Sequence, residues 1–244
     1  MASTTGQPTQ SDRRFDVIAF DADDTLWHNE GLYSGALDRL KHILSAYPRA
    51  ATVDGPLHAI EVRNLSHFGY GIKAYVLALI EAAIQVTGGT IRGQDIQKVI
   101  DLGREMIDAP IQLMEHVKTT LATLSEHYPL MLITKGDLFE QETRIGRSGL
   151  KSYFAYIEIT SDKTAESYTT ILAKYRIDPH RFLMVGNSHR SDILPVLALG
   201  GYAVYIPYPF TWAHEVVDDP PAGHPRYFEL EHLGLLPALI EQIG

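Results

Sequence analysis

Short apolar runs that stop abruptly at polar clusters recur along the chain. Phe15 to Phe20 (FDVIAF) ends at DADDT, Tyr128 to Thr134 (YPLMLIT) at TKGD, Phe182 to Val185 (FLMV) at GNS, and Gly201 to Ile206 (GYAVYI) at a proline-rich loop. Runs of this length between turn residues predict strands buried on both faces of a parallel sheet. Phe154 to Thr160 (FAYIEIT) is a more amphipathic candidate. Helical spacing of apolar residues covers Met114 to His127, Leu138 to Ser148, Thr164 to Tyr175 and Ser191 to Leu199. Strand alternating with helix predicts an α/β fold, a doubly wound parallel sheet of Rossmann-like type. Ligands of such sheets bind outside the carboxyl ends of the strands, so the polar clusters, remote in sequence, are expected to meet there.

From about Glu30 to Ile107 the alternation breaks. Apolar residues fall at helical spacing with no convincing strand, most clearly in IKAYVLALIEAAIQVTGG, where Gly88 and Gly89 are a stop signal. Placed directly after the first strand, this stretch predicts an inserted helical cap able to move over the site. The expected division is a flexible tail at 1–12, an α/β core at 13–29 and 108–244, and the cap at 30–107. No internal repeat is visible. Low complexity is confined to the tail and DDPPAGHP near the C-terminus.

With 244 residues, 45% of them hydrophobic, the chain is long enough for one large domain or a domain with an insertion. The absence of cysteine excludes disulfides, zinc–thiolate sites and thiol nucleophiles, leaving oxygen or imidazole to hold any metal. The 11 histidines lack metal-ligand spacing. A net charge of -9 without a basic stripe argues against a nucleic-acid partner. A small anionic substrate stays admissible, because a few local cations and a metal outweigh the net field. No apolar run approaches the roughly 20 residues of a membrane-spanning helix, and the start MASTTGQPTQSDRR lacks the apolar core of a secretory signal. The expectation is a cytoplasmic monomer or homodimer with no membrane partner.

The strand ends carry the candidate chemistry. Asp21, Asp23 and Asp24 crowd into five residues with Thr25, and carboxylates this close repel unless a cation or a shared proton relieves them. Mg2+, which favours one or two carboxylates with water and phosphate, suits the cluster; an acidic turn capping the next helix suits it equally. Thr134 with Lys135 and Gly136 offers a hydroxyl, a cation and backbone N–H groups for phosphate oxygens. Lys163 precedes the helix from Thr164, where its ammonium neutralises charge on Asp21 and on a phosphoryl group. Gly186, Asn187, Ser188 and Asp192 add a second oxygen-rich turn.

In this order, DADDT, LITKG with Thr134, SDKTAES with Lys163 and VGNSHRSD at Val185 to Asp192 resemble the four motifs of the haloacid dehalogenase (HAD) superfamily, which is mostly phosphatases. The resemblance covers nearly the whole chain after the tail, and the insertion is similar to the superfamily's type-1 helical cap. It implies a Mg2+-dependent phosphohydrolase that removes phosphate from a small phosphorylated metabolite through an aspartyl-phosphate on Asp21. Asp23 would protonate the leaving alcohol and then activate water. Thr134, Lys135, Gly136 and Lys163 would hold the phosphate, and Asp21, the Asp23 carbonyl, Asn187 and Asp192 the metal.

Asn187 departs from the family, which usually carries an acidic residue there. Weaker metal affinity is expected, with Asp192 helping directly or through a metal-bound water, unless Asp192 merely caps its helix. The alternatives are a haloacid dehalogenase, which turns the equivalent aspartate on carbon and generally lacks the acid two residues later, a phosphosugar mutase, and a non-catalytic phospho-ligand binder. Asp23 favours phosphoryl transfer. Among weaker signals, NLSHFGYGIKAY places His67, Tyr70 and Lys73 either in a loop reading the leaving group or at an ordinary helix start. Trp27 and His28 are expected in the turn between core and cap, and Trp212 and His214 at the rim of the site or packed on the surface.

Overall fold

Four consecutive apolar residues, Val17–Phe20, form β1, a central strand whose two faces are both buried under helices. In this computed structural model, which describes residues 13–47, 52–210, 215, 217 and 220–243, β1 lies between β2 (Leu130–Lys135) and β4 (Phe182–Gly186). With β3 (Tyr156–Thr160), β5 (Tyr202–Tyr205) and β6 (Tyr227–Glu229) they make a six-stranded sheet of order β3-β2-β1-β4-β5-β6. Every pairing is parallel, with Phe20 beside Leu132 and Val185. The order reverses at β1, which opens a crevice at the carboxyl ends of β1, β2 and β4. β6 was not expected. Its three residues are half exposed on the sheet edge and show no apolar run.

The period of two along the strands sorts their side chains onto two covered faces. Ile18, Phe20, Leu132, Leu183 and Val185 pack with Val117, Leu121 and Leu124 of α5 (Val117–Ser125) and with Leu236 and Ile240 of α9 (Leu236–Ile243). Val17, Ala19, Met131, Ile133 and Met184 pack with Tyr168, Ile171 and Leu172 of α7 (Ala165–Tyr175) and Val196 of α8 (Leu194–Ala198). α6 (Leu138–Ser148) starts on the Asp137 side chain, which accepts from Glu140 N at 3.0 Å. A Thr164–Ser167 capping box starts α7.

Two helices differ from the sequence expectation. α5 begins only after His116, which sits in the left-handed region at φ 64 and cannot continue a helix through Met114. The helix expected from Ser191 is preceded by a π-helical turn, His189–Ile193, with Ser188 Oγ accepting from Ser191 N at 3.0 Å.

Between β1 and α5, four helices among the described residues form a separate apolar cluster: α1 (Glu30–Leu44), α2 (Asp54–Phe68), α3 (Ile72–Val86) and α4 (Gly93–Asp108). Leu40, Leu57, Ile60, Leu79, Val99 and Met106 lie at its centre. Gly103 lets α4 approach α3, because a Cβ there would collide with Val76. The chain passes to and from these helices through a narrow neck in which His28 N donates to Gln112 O and Met114 N to Leu26 O, both at 2.9 Å. Among the described residues no helix is long and apolar enough to cross a membrane.

Candidate active site

Asp21 extends β1 by one residue, its N–H donating to Val185 O at 2.9 Å. This delivers its carboxylate to the crevice. One oxygen, Oδ1, is paired with the buried Lys163 ammonium, which also donates to Asp192 Oδ1 at 2.7 Å. The other, Oδ2, lies 3.1 Å from the Thr25 hydroxyl. Burial pushes the Asp21 carboxyl above its usual range, with Lys163 pulling the other way. Burial also opposes charge on Lys163, but the carboxylates of Asp192 and Asp21 outweigh it and hold the ammonium above its ordinary value. The second oxygen of Asp192 accepts from Ser188 N at 3.0 Å. A Cβ at Gly186 would collide with this carboxylate, so the glycine is required by close approach.

The Asn187 amide sits against Asp21 and the turn after it. Its outer atoms lie 3.2 Å from Asp21 Oδ2, 3.3 Å from the Asp23 carbonyl and 3.1 Å from Thr25 Oγ1. With the amide nitrogen inward, Asn187 donates to these acceptors. With Oδ1 inward it accepts from the Thr25 hydroxyl and faces the oxygens of Asp21 and Asp23, an all-oxygen set that suits a hard cation such as Mg2+. Among the described residues no three His, Cys, Asp or Glu side chains converge on one point, so this group mixes carboxylate, amide and backbone carbonyl. Asp192 stands beside it, with its oxygens accepting from Lys163 Nζ and Ser188 N.

The Asp23 carboxylate is held from the side. Trp27 Nε1 donates to Oδ1 at 2.7 Å, Gln141 Nε2 donates to Oδ2 at 2.8 Å, and the buried Arg144 guanidinium stands 3.4 Å from Oδ1. Asp24 points the other way. At φ 59 it takes a backbone conformation rare outside glycine, and its carboxylate accepts from Asn29 N at 2.8 Å and Glu30 N at 3.1 Å, fastening the start of α1. Of the three clustered acids, Asp24 is therefore the one that serves a helix.

At the end of β2, Thr134 is buried against the cavity. Lys135 pairs with Glu215, donates to Ser191 Oγ at 2.8 Å and lies 4.5 Å from the centre of the Tyr70 ring. Burial works against the Glu215 carboxylate, yet Lys135 and the hydroxyls of Ser188 and Ser191 bring it down to about 2. The Gly136 N–H is committed to Thr160 O at 3.1 Å. Its φ of 141 makes the turn that no side chain favours.

Asp21, Asp23, Thr134, Lys135, Gly136, Lys163, Asn187 and Asp192, all singled out from the sequence, line one cavity of about 400 Å³. Its far wall comes from α1 to α3 and the α2–α3 turn, with Tyr33, Leu57, Glu61, Tyr70 and Tyr75. Tyr70 thus reaches the cavity, whereas His67 bonds Ser66 on the surface and Lys73 pairs with Asp137 at 2.8 Å. Trp27 is buried in the neck, and His28 meets Tyr208 at its surface. Trp212 and His214 lie outside the described residues. The sequence reading missed Gln141, Arg144 and Glu215. The first two occupy ordinary polar positions of an amphipathic helix, and Glu215 sits in a segment without periodicity.

The family description "haloacid dehalogenase-like hydrolase" matches residues 15–200. Comparison with curated proteins gave no match. A haloacid dehalogenase-like family hydrolase from Xanthomonas campestris is 36% identical, with a TM-score of 0.86 over 98% of this chain and 94% of that one. A 2-haloacid dehalogenase from Pseudomonas syringae (22% identity, TM-score 0.62, 94% of this chain and 100% of that one) shares the fold. So does a predicted phosphoglycolate phosphatase from Haemophilus somnus (15%, 0.64, 93% and 99%). The parallel sheet with its reversal at β1, the polar clusters gathered at that reversal, and the match across most of the chain place this protein in the haloacid dehalogenase-like hydrolases.

Proposed function

We propose that the protein hydrolyses phosphate monoesters of small metabolites, with Asp21 as nucleophile and Mg2+ as cofactor. The observation that carries this reading is the pairing of two carboxylates two residues apart with different supports. Asp21 lies against the Lys163 ammonium, and Asp23 is held by donors on both of its oxygens. Asp21 attacks phosphorus as the bond to the leaving oxygen breaks, and Asp23 gives that oxygen a proton. Asp23 then takes a proton from the water that attacks the aspartyl-phosphate, which frees inorganic phosphate and restores Asp21.

Lys163 offsets the charge gathered at Asp21, and the Thr134 hydroxyl donates to a phosphoryl oxygen. Asp21 Oδ2, the Asp23 carbonyl and Asn187 Oδ1 would hold Mg2+, which when bound supplies positive charge to the phosphoryl oxygens. Asp192 acts as the partner that keeps Lys163 charged and in place. The four helices over the cavity, residues 30–107, serve as a cap that keeps water out and leaves room for a small leaving group only.

A second reading, haloacid dehalogenation by Asp21 attack on carbon, is favoured by the neutral Asn187 in the oxygen group, which brings no second carboxylate to a metal. One panel separates them. Phosphate release from small phosphoesters, with and without Mg2+, is measured beside halide release from 2-haloacids, for the native protein and Asp21→Asn. Expected is Mg2+-dependent phosphate release that falls to background in Asp21→Asn. Halide release without phosphate release overturns the phosphatase reading in favour of the second.

A further inference from the structure

Gln141 is 3% exposed and lines the cavity, yet its Oε1 has no hydrogen-bond partner. A buried, orphaned acceptor is unfavourable, and one beside a reacting group calls for a reason. The other end of the amide is fully used: Nε2 donates to Asp23 Oδ2 at 2.8 Å and lies 3.4 Å from Lys135 O. Space for it is reserved by Gly136, where a Cβ would stand 3.1 Å from Nε2. Trp27 Nε1 and Arg144 both face Oδ1 of Asp23. Oδ2 is therefore the oxygen left to carry a proton, and Gln141 is the side chain in contact with it.

We propose that Gln141 is a positioning residue for Asp23, built to hold Oδ2 in both halves of the reaction; this rests on the phosphohydrolase reading above. An amide has a donor end and an acceptor end of nearly equal shape. With Nε2 inward it donates to the carboxylate, the form that draws a proton from water. Turned over, the unpartnered Oε1 accepts from the Oδ2 hydroxyl, the form that precedes leaving-group departure. The Oδ2 hydroxyl then turns from Oε1 to the leaving oxygen and gives up its proton as the phosphorus–oxygen bond breaks, which leaves a carboxylate to which the amide returns as donor. Neither oxygen of Asp23 swings away from the cavity at either stage.

The test compares kcat/KM, which reports the steps up to leaving-group departure, for p-nitrophenyl phosphate and for the alkyl phosphate turned over fastest in the panel above. The aryl group departs without a proton and the alkoxide does not. In Gln141→Met the alkyl ester is expected to lose about tenfold or more and the aryl ester less than about twofold. Gln141→Leu, close in size and lacking both ends of the amide, is expected to show the same asymmetry and carries the test should the first variant not fold. Equal losses on both esters, or none on either, overturn the proposal. Asp23→Asn is measured alongside. If it shows the asymmetry and the Gln141 variants do not, this inference alone fails; if Asp23→Asn shows none, the acid role of Asp23 fails first.

Discussion

Glu30, on the cavity wall at the start of α1, is pushed up to about 7 from 4.5 by burial, helped by Asp24 and Glu61. Between those two values the folded chain keeps a proton that the unfolded chain has lost. Stability therefore declines as pH rises through that window, and the penalty is fully present above it. Glu30→Gln removes the penalty. Thermal unfolding should show equal stability of variant and native protein at pH 4, and at pH 8 a variant more stable by about 1–2 kcal/mol, allowing for its partial exposure. Single residues were legible in the sequence where an apolar strand ends in acids, hydroxyls or lysine, since no core tolerates those groups by chance. They were not legible where the surroundings supply the meaning. Nothing in DADDT says that Asp24 turns away at φ 59 to fasten α1 while Asp23 faces Gln141.

Among the elements, α6 touches most of what the site depends on. Gln141 and Arg144 hold Asp23. Glu140 Oε2 accepts from Ile72 N at 2.8 Å at the start of α3, and Arg144 also bonds the Asn29 side chain on the outgoing arm of the neck. Arg147 donates to the carbonyls of Ile107 and Asp108 at 2.8 Å and of Ala109 at 2.9 Å, where the chain returns. Arg147→Ala should free that returning segment, and limited proteolysis should cut within 107–113 several-fold faster than in the native protein, with the sheet left intact. The span Leu138 to Ser148 was readable to the residue because Asp137 and Gly149 bracket it. Its connections were not, because polar residues on an amphipathic helix look alike whether they meet water or another part of the chain. β6 stayed hidden for the opposite reason, since a three-residue edge strand buries too little to leave a pattern.

At the scale of the whole molecule the apolar residues form separate clusters, two on the faces of the sheet and one among α1 to α4. Leu79 lies fully buried in the last. Leu79→Ala should cost about 2–5 kcal/mol, and hydrogen exchange should show the amides of α1 to α4 losing protection while those of β1, β2 and β4 keep theirs. The neck decides more than this. The helices leave and rejoin the core at one paired spot, where His28 meets Gln112 and Leu26 meets Met114. The entropy of closing such an excursion grows only with the logarithm of its length. Closing entropy therefore sets little limit on the length of the excursion, and additions away from the contacts that Ile72 and Lys73 make with the core cost the sheet little. The strand ends that carry Asp21, Thr134 and Asn187 can thus stay fixed in sequence and place while the length of the excursion between them drifts.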